Sequence, residues 1–319
     1  MQNILVLTYG EDPHAESVCN YLSGKGIDFF VVDTECLPDR YKLTFDSESS
    51  LYKINKGNRK VVINPSWNIW NRRVMNPDVR KITPRSLTDI IFDETERAWD
   101  GLLMSHQGKV INRPQNQLHA NNKIDQLRLA QNIGGDILIP DTIVTNDPDR
   151  VRDFYEKHNG NICFKLHKGA VIDTEEGNKM IYTNKVTRKN MENVELVSSH
   201  PCIFQEYINK EFEIRIISTD RNSSGIAIYS QESEISQVDY RRYDFKNVPY
   251  KHLELPENVQ RFCSNMLKHY GLHFGVFDFI YSDSGEYVFL ELNPNGQWLW
   301  LELKSGYNLT KLVAENFIE

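Results

Sequence analysis

Three residues with hard oxygen donors, Asp278, Glu291 and Asn293, sit in an otherwise apolar stretch between Gly275 and Gly296. The runs around them are rich in Val, Ile, Phe and Tyr and flank a Ser/Asp/Gly cluster, which predicts a β-hairpin. Side chains two apart on a strand share a face, so Glu291 and Asn293 point the same way. A two-residue loop at Ser284-Gly285 would pair Asp283 with Glu286 and, counting back, set Asp278 opposite Glu291. An odd loop without a bulge would break the cluster. Two carboxylates and an amide carbonyl on one face suit Mg²⁺, which takes few protein oxygens and shares the rest with phosphates and water. Any one of these residues alone reads as a solvated strand end. Buried unpaired carboxylates are costly, so the set points to a nucleotide-phosphate site.

Cations stand elsewhere in comparable settings. Lys165 lies inside the apolar run Ile162-Cys-Phe-Lys-Leu166, where a bare ammonium is costly unless an anion meets it. Arg215 alternates with Ile214 and Ile216 and is therefore presented from a strand, which fixes it better than a loop would. Arg72 and Arg73 follow Trp67 and Trp70. Their guanidinium forks suit phosphate or carboxylate, and surface arginines lying over exposed indoles would look the same. Glu192 and Glu195 fall on a short acidic helix candidate, Asn190 to Ser199, for which a solvated face is the plainer reading. The polar segment from Gly169 to Met180 is either a flap that closes over phosphates or a simple hairpin connection.

The elements that must hold these side chains form an α/β arrangement. Ile4 to Thr8, an amphipathic helix with Val18, Tyr21 and Leu22, and Phe29 to Val32 make a βαβ unit. Gly10 there is a lone glycine, which gives no support to a dinucleotide fold. Leu51 to Asn64 alternates as antiparallel strands. Ser86 to Ser105 reads as a long amphipathic helix with Leu87, Ile90, Ile91, Thr95, Ala98, Leu102 and Leu103 along one side. The first boundary is placed after it, near Lys109. Asn121 to Gly135 is a helix with a Gly-Gly cap, and Pro256 to Tyr270 another that ends at Gly271.

A chain of 319 residues, 25% charged and 40% hydrophobic, is long enough for two or three domains and globular in composition. Its net charge of −7 gives no global footprint for nucleic acid. Five scattered cysteines with no C-x-x-C pair suggest free thiols in a reducing compartment. His269 and His273 have helical spacing but Gly271 between them, so a zinc motif is not read there. The strand-like start and the lack of any long apolar stretch predict a cytoplasmic protein with no membrane partner.

The ordered set Lys123, Lys165, Gln205-Glu-Tyr-Ile208, Arg215, Asp278 and Glu291-Leu-Asn293 resembles the ATP-grasp superfamily. Within it, Arg72-Arg73 after tryptophan, Asn122-Lys-Ile-Asp-Gln-Leu127, Asp239-Tyr-Arg241 and Glu291-Leu-Asn-Pro-Asn-Gly-Gln-Trp298 resemble the graspetide synthetases, the macrocyclases of microviridin-type ribosomal peptides. Tyr240 stands where that family more often has tryptophan, and Val74 where it has proline.

The resemblance implies an N-terminal α/β domain (1–109), a central ATP-grasp subdomain (110–200) and a C-terminal, antiparallel-sheet subdomain with the metal site (201–319). It implies that Lys123 and Lys165 contact ATP phosphates, that Gln205, Glu206, Tyr207 and Ile208 line the adenine pocket, and that Asp278, Glu291 and Asn293 hold Mg²⁺. Arg215 and Arg241 would sit by the γ-phosphate and the acyl phosphate. Arg72, Arg73, Glu192 and Glu195 would meet the leader or core of a precursor peptide. Two other readings stay open: a ligase adding a free amino acid to a peptide or protein, and a non-catalytic nucleotide-dependent peptide-binding module. The sequence leaves both monomer and homodimer open.

Overall fold

A run of buried β-branched and leucine residues near the N-terminus nucleates the first sheet of the protein, seen in a computed structural model that describes residues 3–75, 78, 84–169, 171–174 and 177–318. The elements of this part are β1 (Asn3–Thr8), α1 (Pro13–Gly24), β2 (Phe29–Asp33), β3 (Lys42–Asp46), β4 (Leu51–Lys56), β5 (Arg59–Ile63), β6 (Trp67–Asn71), α2 (Thr88–Ser105) and β7 (Val110–Ile111). Strands β2, β1, β6 and β7 form a parallel sheet in that order, as βαβ connections require, and β3, β4 and β5 form an antiparallel one. The short alternating run of β3 had no signal strong enough to be read from sequence. In α2 only Trp99, Leu102 and Leu103 are buried. The expected apolar side fails at its start, where Leu87 and Ile90 are exposed.

Next come α3 (Pro114–Ala120), α4 (Lys123–Ile133), β8 (Ile137–Leu138), β9 (Thr142–Thr145), α5 (Pro148–Lys157), β10 (Ile162–Lys165), β11 (Val171–Thr174), β12 (Gly177–Met180), β13 (Asn184–Lys185), α6 (Arg188–Met191) and β14 (Cys202–Glu206). Strands β13, β10, β14 and β9 make a second sheet. The segment from Gly169 to Met180 is an antiparallel hairpin of β11 and β12, with Ala170, Glu175 and Glu176 outside the described residues. The acidic helix candidate is a single turn, α6, followed by a 3₁₀ stretch, Val194–Ser199.

The last part holds β15 (Lys210–Thr219), β16 (Ser223–Ile228), β17 (Tyr250–Leu253), α7 (Glu257–Tyr270), β18 (Phe274–Ser282), β19 (Tyr287–Asn293), α8 (Leu299–Ser305) and α9 (Leu309–Glu315). Its sheet, the third after β2-β1-β6-β7 and β13-β10-β14-β9 when the smaller β3-β4-β5 and β11-β12 are left aside, runs β17-β16-β15-β18-β19-β8. Helix α7, closed by Gly271 at φ +61°, covers one face, where Val259, Phe262 and Met266 meet Ile214, Ile216, Phe277, Phe279 and Phe289. On the other face the residues of opposite parity divide. Ile217, Phe274 and Val276 join the core around Trp298, whereas Glu213, Arg215, Asp278 and Glu291 face the second sheet. Among the described residues no helix is long and apolar enough to cross a membrane.

Candidate functional site

The hairpin turns differently from the two-residue loop expected. Ser282 N–H donates to Glu286 O at 3.0 Å and Gly285 N–H to Ser282 O at 2.9 Å, which leaves a three-residue loop with Gly285 at φ +83°. By itself an odd loop shifts the pairing to Tyr281 with Tyr287 and Phe279 with Phe289. An extra residue, Leu290, then restores the register, so that Asp278 lies opposite Glu291 after all. The bulge also turns Leu290 and Glu291 to the same face, and both line the cleft. Arg215 pairs with Asp278 on the other side, so Arg215, Asp278 and Glu291 form one row across β15, β18 and β19.

Asp278 and Glu291 of this row floor a cleft between the second and third sheets, and Arg215 backs Asp278 from behind. Lys123, at the start of α4, enters from one side and reaches Glu291 Oε2 at 2.8 Å. Helix α4 is aimed by its cap and by Gln126. Asn122 Oδ1 accepts from the backbone of Ile124 and Asp125, while the Gln126 amide donates to Leu292 O and accepts from Leu292 N, each at 2.7 Å. Lys165 extends from β10 and donates to Gln205 Oε1. Gln205, Glu206, Tyr207 and Ile208 run along the connection between the two sheets and line the cleft beside the apolar Leu166, Ile181 and Ile280.

Arg215 donates to both oxygens of Asp278, at 2.7 and 3.0 Å, to Tyr240 Oη at 2.7 Å and to Gln297 O at 3.1 Å. Arg241 also lines the cleft, and its Nε donates to Asp239 Oδ1 at 2.9 Å. Asp239 in turn accepts from the Thr183 backbone at 3.0 Å, which ties Arg241 to the residues just after β12.

Burial pushes Glu291 up, but Lys123, Arg241 and Lys165 outweigh it and hold its carboxyl at about 2. Asp278 moves the other way: burial and the neighbouring Glu291 raise it against the opposing fork of Arg215. Burial lowers Lys165, and Lys123 and Arg241 add to that effect. Two carboxylates one ladder step apart, one of them ionised throughout the ordinary pH range, are a hard-oxygen donor set that fits Mg²⁺. Three cations gathered round the same carboxylate fit the phosphates such an ion would carry.

Other expected site residues fall elsewhere. Asn293 is exposed at the end of β19, does not line the cleft, and accepts from the Asn295 backbone at 3.0 Å. Arg72 is 1% exposed and so cannot meet a peptide directly, as a surface position would. It lies 3.4 Å from Asp12, donates to Asn295 Oδ1 at 2.8 Å and stacks over Trp298. The tryptophans beside it, 67 and 70, are buried too, because β6 is an interior strand. Arg73 is half-buried and reaches the Gln297 side chain once that amide is oriented oxygen-first. Glu195 pairs with Arg152, and Glu192 is exposed on the far side of the second sheet.

Two lining residues escape a reading by strand period. Lys210 and Glu213 would face opposite ways, but an irregularity between Lys210 and Phe212 brings them together, buried, in an ion pair that Ser230 completes. Asp239 could have been found from its place two residues before Arg241.

A cleft between two sheets, floored by an acid–base row and entered by lysines from a helix and a strand, is the architecture of the ATP-grasp fold. The chain has that fold, with a pre-ATP-grasp domain at its N-terminal end: residues 3–118 match the family model of the MvdD pre-ATP grasp domain. It resembles the graspetide macrocyclases over almost its full length. Against an RiPP-associated ATP-grasp ligase of Chryseobacterium gregarium, solved in complex with ADP and a leader and core peptide, the TM-score is 0.89 at 25% identity, covering 99% of this chain and 96% of that one. For the macrocyclase MdnB of Microcystis aeruginosa MRC the values are 0.78 and 27%, over 100% and 99%. The macrocyclase MdnC of the same organism, bound with precursor peptide MdnA, gives 0.84 at 24%, over 99% of each chain. No curated protein matches the sequence.

Proposed function

We propose that the protein is an ATP-dependent macrocyclase of a ribosomally made precursor peptide. A carboxylate is a poor acyl donor because oxide would have to leave. In this reading, an Asp or Glu side-chain carboxylate of the bound peptide attacks the γ-phosphate of ATP and becomes an acyl phosphate, releasing ADP. A Thr or Ser hydroxyl, or a Lys amine, of the same peptide then attacks the acyl carbon, phosphate leaves, and an ester or amide ring closes. The observation that carries the reading is the Arg215–Asp278–Glu291 row with Lys123, Lys165 and Arg241 around it, in a fold shared with ligases solved with ADP and precursor peptides.

Lys123 and Lys165 would hold the nucleotide phosphates, and Gln205 to Ile208 the adenine edge. Asp278 and Glu291 would hold Mg²⁺, and Asn293 would join them by turning its amide from the Asn295 backbone toward the cleft; the ion when bound supplies charge neutralisation across the phosphates. Arg241, fixed by Asp239, and Arg215, fixed by Asp278, would place positive charge where the transferring group gains negative charge. Joining two groups of one peptide makes the second step intramolecular, so position accounts for much of the rate. Glu192 and Glu195 would contact the leader, and Arg73 the core, with Arg72 supporting that surface from beneath.

The test is mass spectrometry of a candidate precursor peptide incubated with the protein, ATP and Mg²⁺. Loss of one water per ring, with one ADP formed for each, is the expected outcome. Gain of an amino-acid residue when that amino acid is supplied would make the protein a ligase instead. ATP binding with no ADP formed on any acidic peptide would leave only a binding module.

A further inference from the structure

Three helix ends meet on one surface behind the cleft. His119 lies in the last turn of α3, Asp125 in the first turn of α4 and His269 in the last turn of α7. One ligand atom from each lies within 4.8 Å of those of the other two. His119 Nε2 is 3.2 Å from Asp125 Oδ2, and Tyr270 Oη donates to the same oxygen at 2.9 Å. Both imidazoles pack edge-on against the Tyr270 ring, at 4.9 and 5.1 Å between centroids.

An exposed ion pair of His119 with Asp125 would account for two of these residues and would contribute little. It gives no reason for His269 to bring a second imidazole to 6.1 Å from the first, with a ligand atom within 4.8 Å of the other two. A borderline divalent cation does give one. Two imidazoles and a carboxylate are a common three-ligand set for Zn²⁺, with the fourth position left to water. The Tyr270 hydroxyl is the outer partner that orients the carboxylate.

We propose that His119, Asp125 and His269 form a surface site for Zn²⁺ or a similar borderline divalent ion. The site is independent of the proposed cyclase chemistry, but its place in the fold ties it to the cleft. Asp125 follows Lys123 by two residues, and the next residue, Gln126, clamps Leu292 beside Glu291. An ion joining Asp125 to α7 would stiffen the turn that presents Lys123.

Calorimetric titration of the full chain with ZnCl₂ in excess MgCl₂ tests this, alongside His119→Ala, His269→Ala and Tyr270→Phe variants that keep the zinc-free melting temperature. One bound equivalent is expected, with affinity at least about tenfold weaker in each histidine variant and a smaller loss in Tyr270→Phe. Co²⁺ should give a visible d–d band in the wild-type protein that His269→Ala lacks. No binding, wild-type affinity in either histidine variant, or binding lost only in an added Glu291→Gln control would overturn the proposal, the last by placing the ion in the cleft.

Discussion

Glu291 is the residue on which the charges of the cleft converge. Its carboxyl is held at about 2 because Lys123, Arg241 and Lys165 surround it, so it enters any reaction as an anion. Replacing it by glutamine keeps the shape, removes one negative charge and leaves three cations without their common partner. Glu291→Gln is expected to lower ATP-dependent turnover of a precursor peptide at least ~100-fold, the scale of losing one pre-organised electrostatic group. Its melting temperature should fall as well, since a carboxyl held at about 2 in the fold contributes stability at neutral pH that glutamine lacks, so turnover is compared well below the melt of the variant. Wild-type turnover by the purified variant would remove Glu291 from the site. Asp239 shows the same logic one step outward: a buried carboxylate that touches Arg241 and the Thr183 backbone fixes where the guanidinium can reach.

At the scale of elements, the hairpin β18–β19 depends on two local departures from regularity that cancel. The three-residue loop moves the pairing by one, and the bulge at Leu290 moves it back. Beyond β19 the chain turns sharply against β18 at Gly296, where an added Cβ would stand 2.4 Å from Val276 Cβ. That atom is close to the backbone and cannot swing away. Gly296→Ala should therefore push the turn, and Asn293 and Asn295 with it, off the sheet. A loss of about 1–3 kcal/mol is expected in urea unfolding, as for overpacked cores. Weakened Mg²⁺-dependent nucleotide binding should accompany it. An unchanged unfolding midpoint would show that the turn is looser than this contact implies.

For the whole molecule, the junction between the N-terminal sheet and the C-terminal part is a buried polar cluster. Asp12 caps α1, accepts from Thr8 Oγ1 at 2.8 Å and lies beside Arg72. His14 Nε2 accepts from the backbone of Trp298 and Leu299, which puts its proton on Nδ1, toward Asp12. Burial raises Asp12, but its bonds to His14 and the charge of Arg72 bring it from 3.8 down to about 2. A depressed carboxyl stabilises the fold above its unfolded value, and that contribution disappears as pH falls through the folded one. Thermal stability should therefore drop between pH 4 and 2, and the drop should be shallower in Asp12→Asn. Arg72→Ala leaves Asp12 buried without its partner and is expected to cost about 3–5 kcal/mol. A melt at neutral pH that matched wild type would show that water reaches the cluster.

Much of this is legible in the sequence, and the limits have physical causes. Strand and helix types along β1, α1, β2, α4, α7, β18 and β19 follow from local period and capping residues, because each acts over a few neighbours. The gathering of charges in the cleft was legible for a related reason: carboxylates and lysines inside apolar runs are too costly to stand there without a partner. Sequence left open what depends on register and on contacts between distant segments. Period-2 counting cannot see a bulge, so the restored pairing of Asp278 with Glu291 and the joining of Lys210 to Glu213 were decided by the third sheet. Arg72 reads as a surface residue beside tryptophans until the order β2-β1-β6-β7 encloses β6, and nothing local marks a strand as interior. The meeting of His119, Asp125 and His269 needed the packing of α3 and α4 on α7, which brings together residues about 150 positions apart.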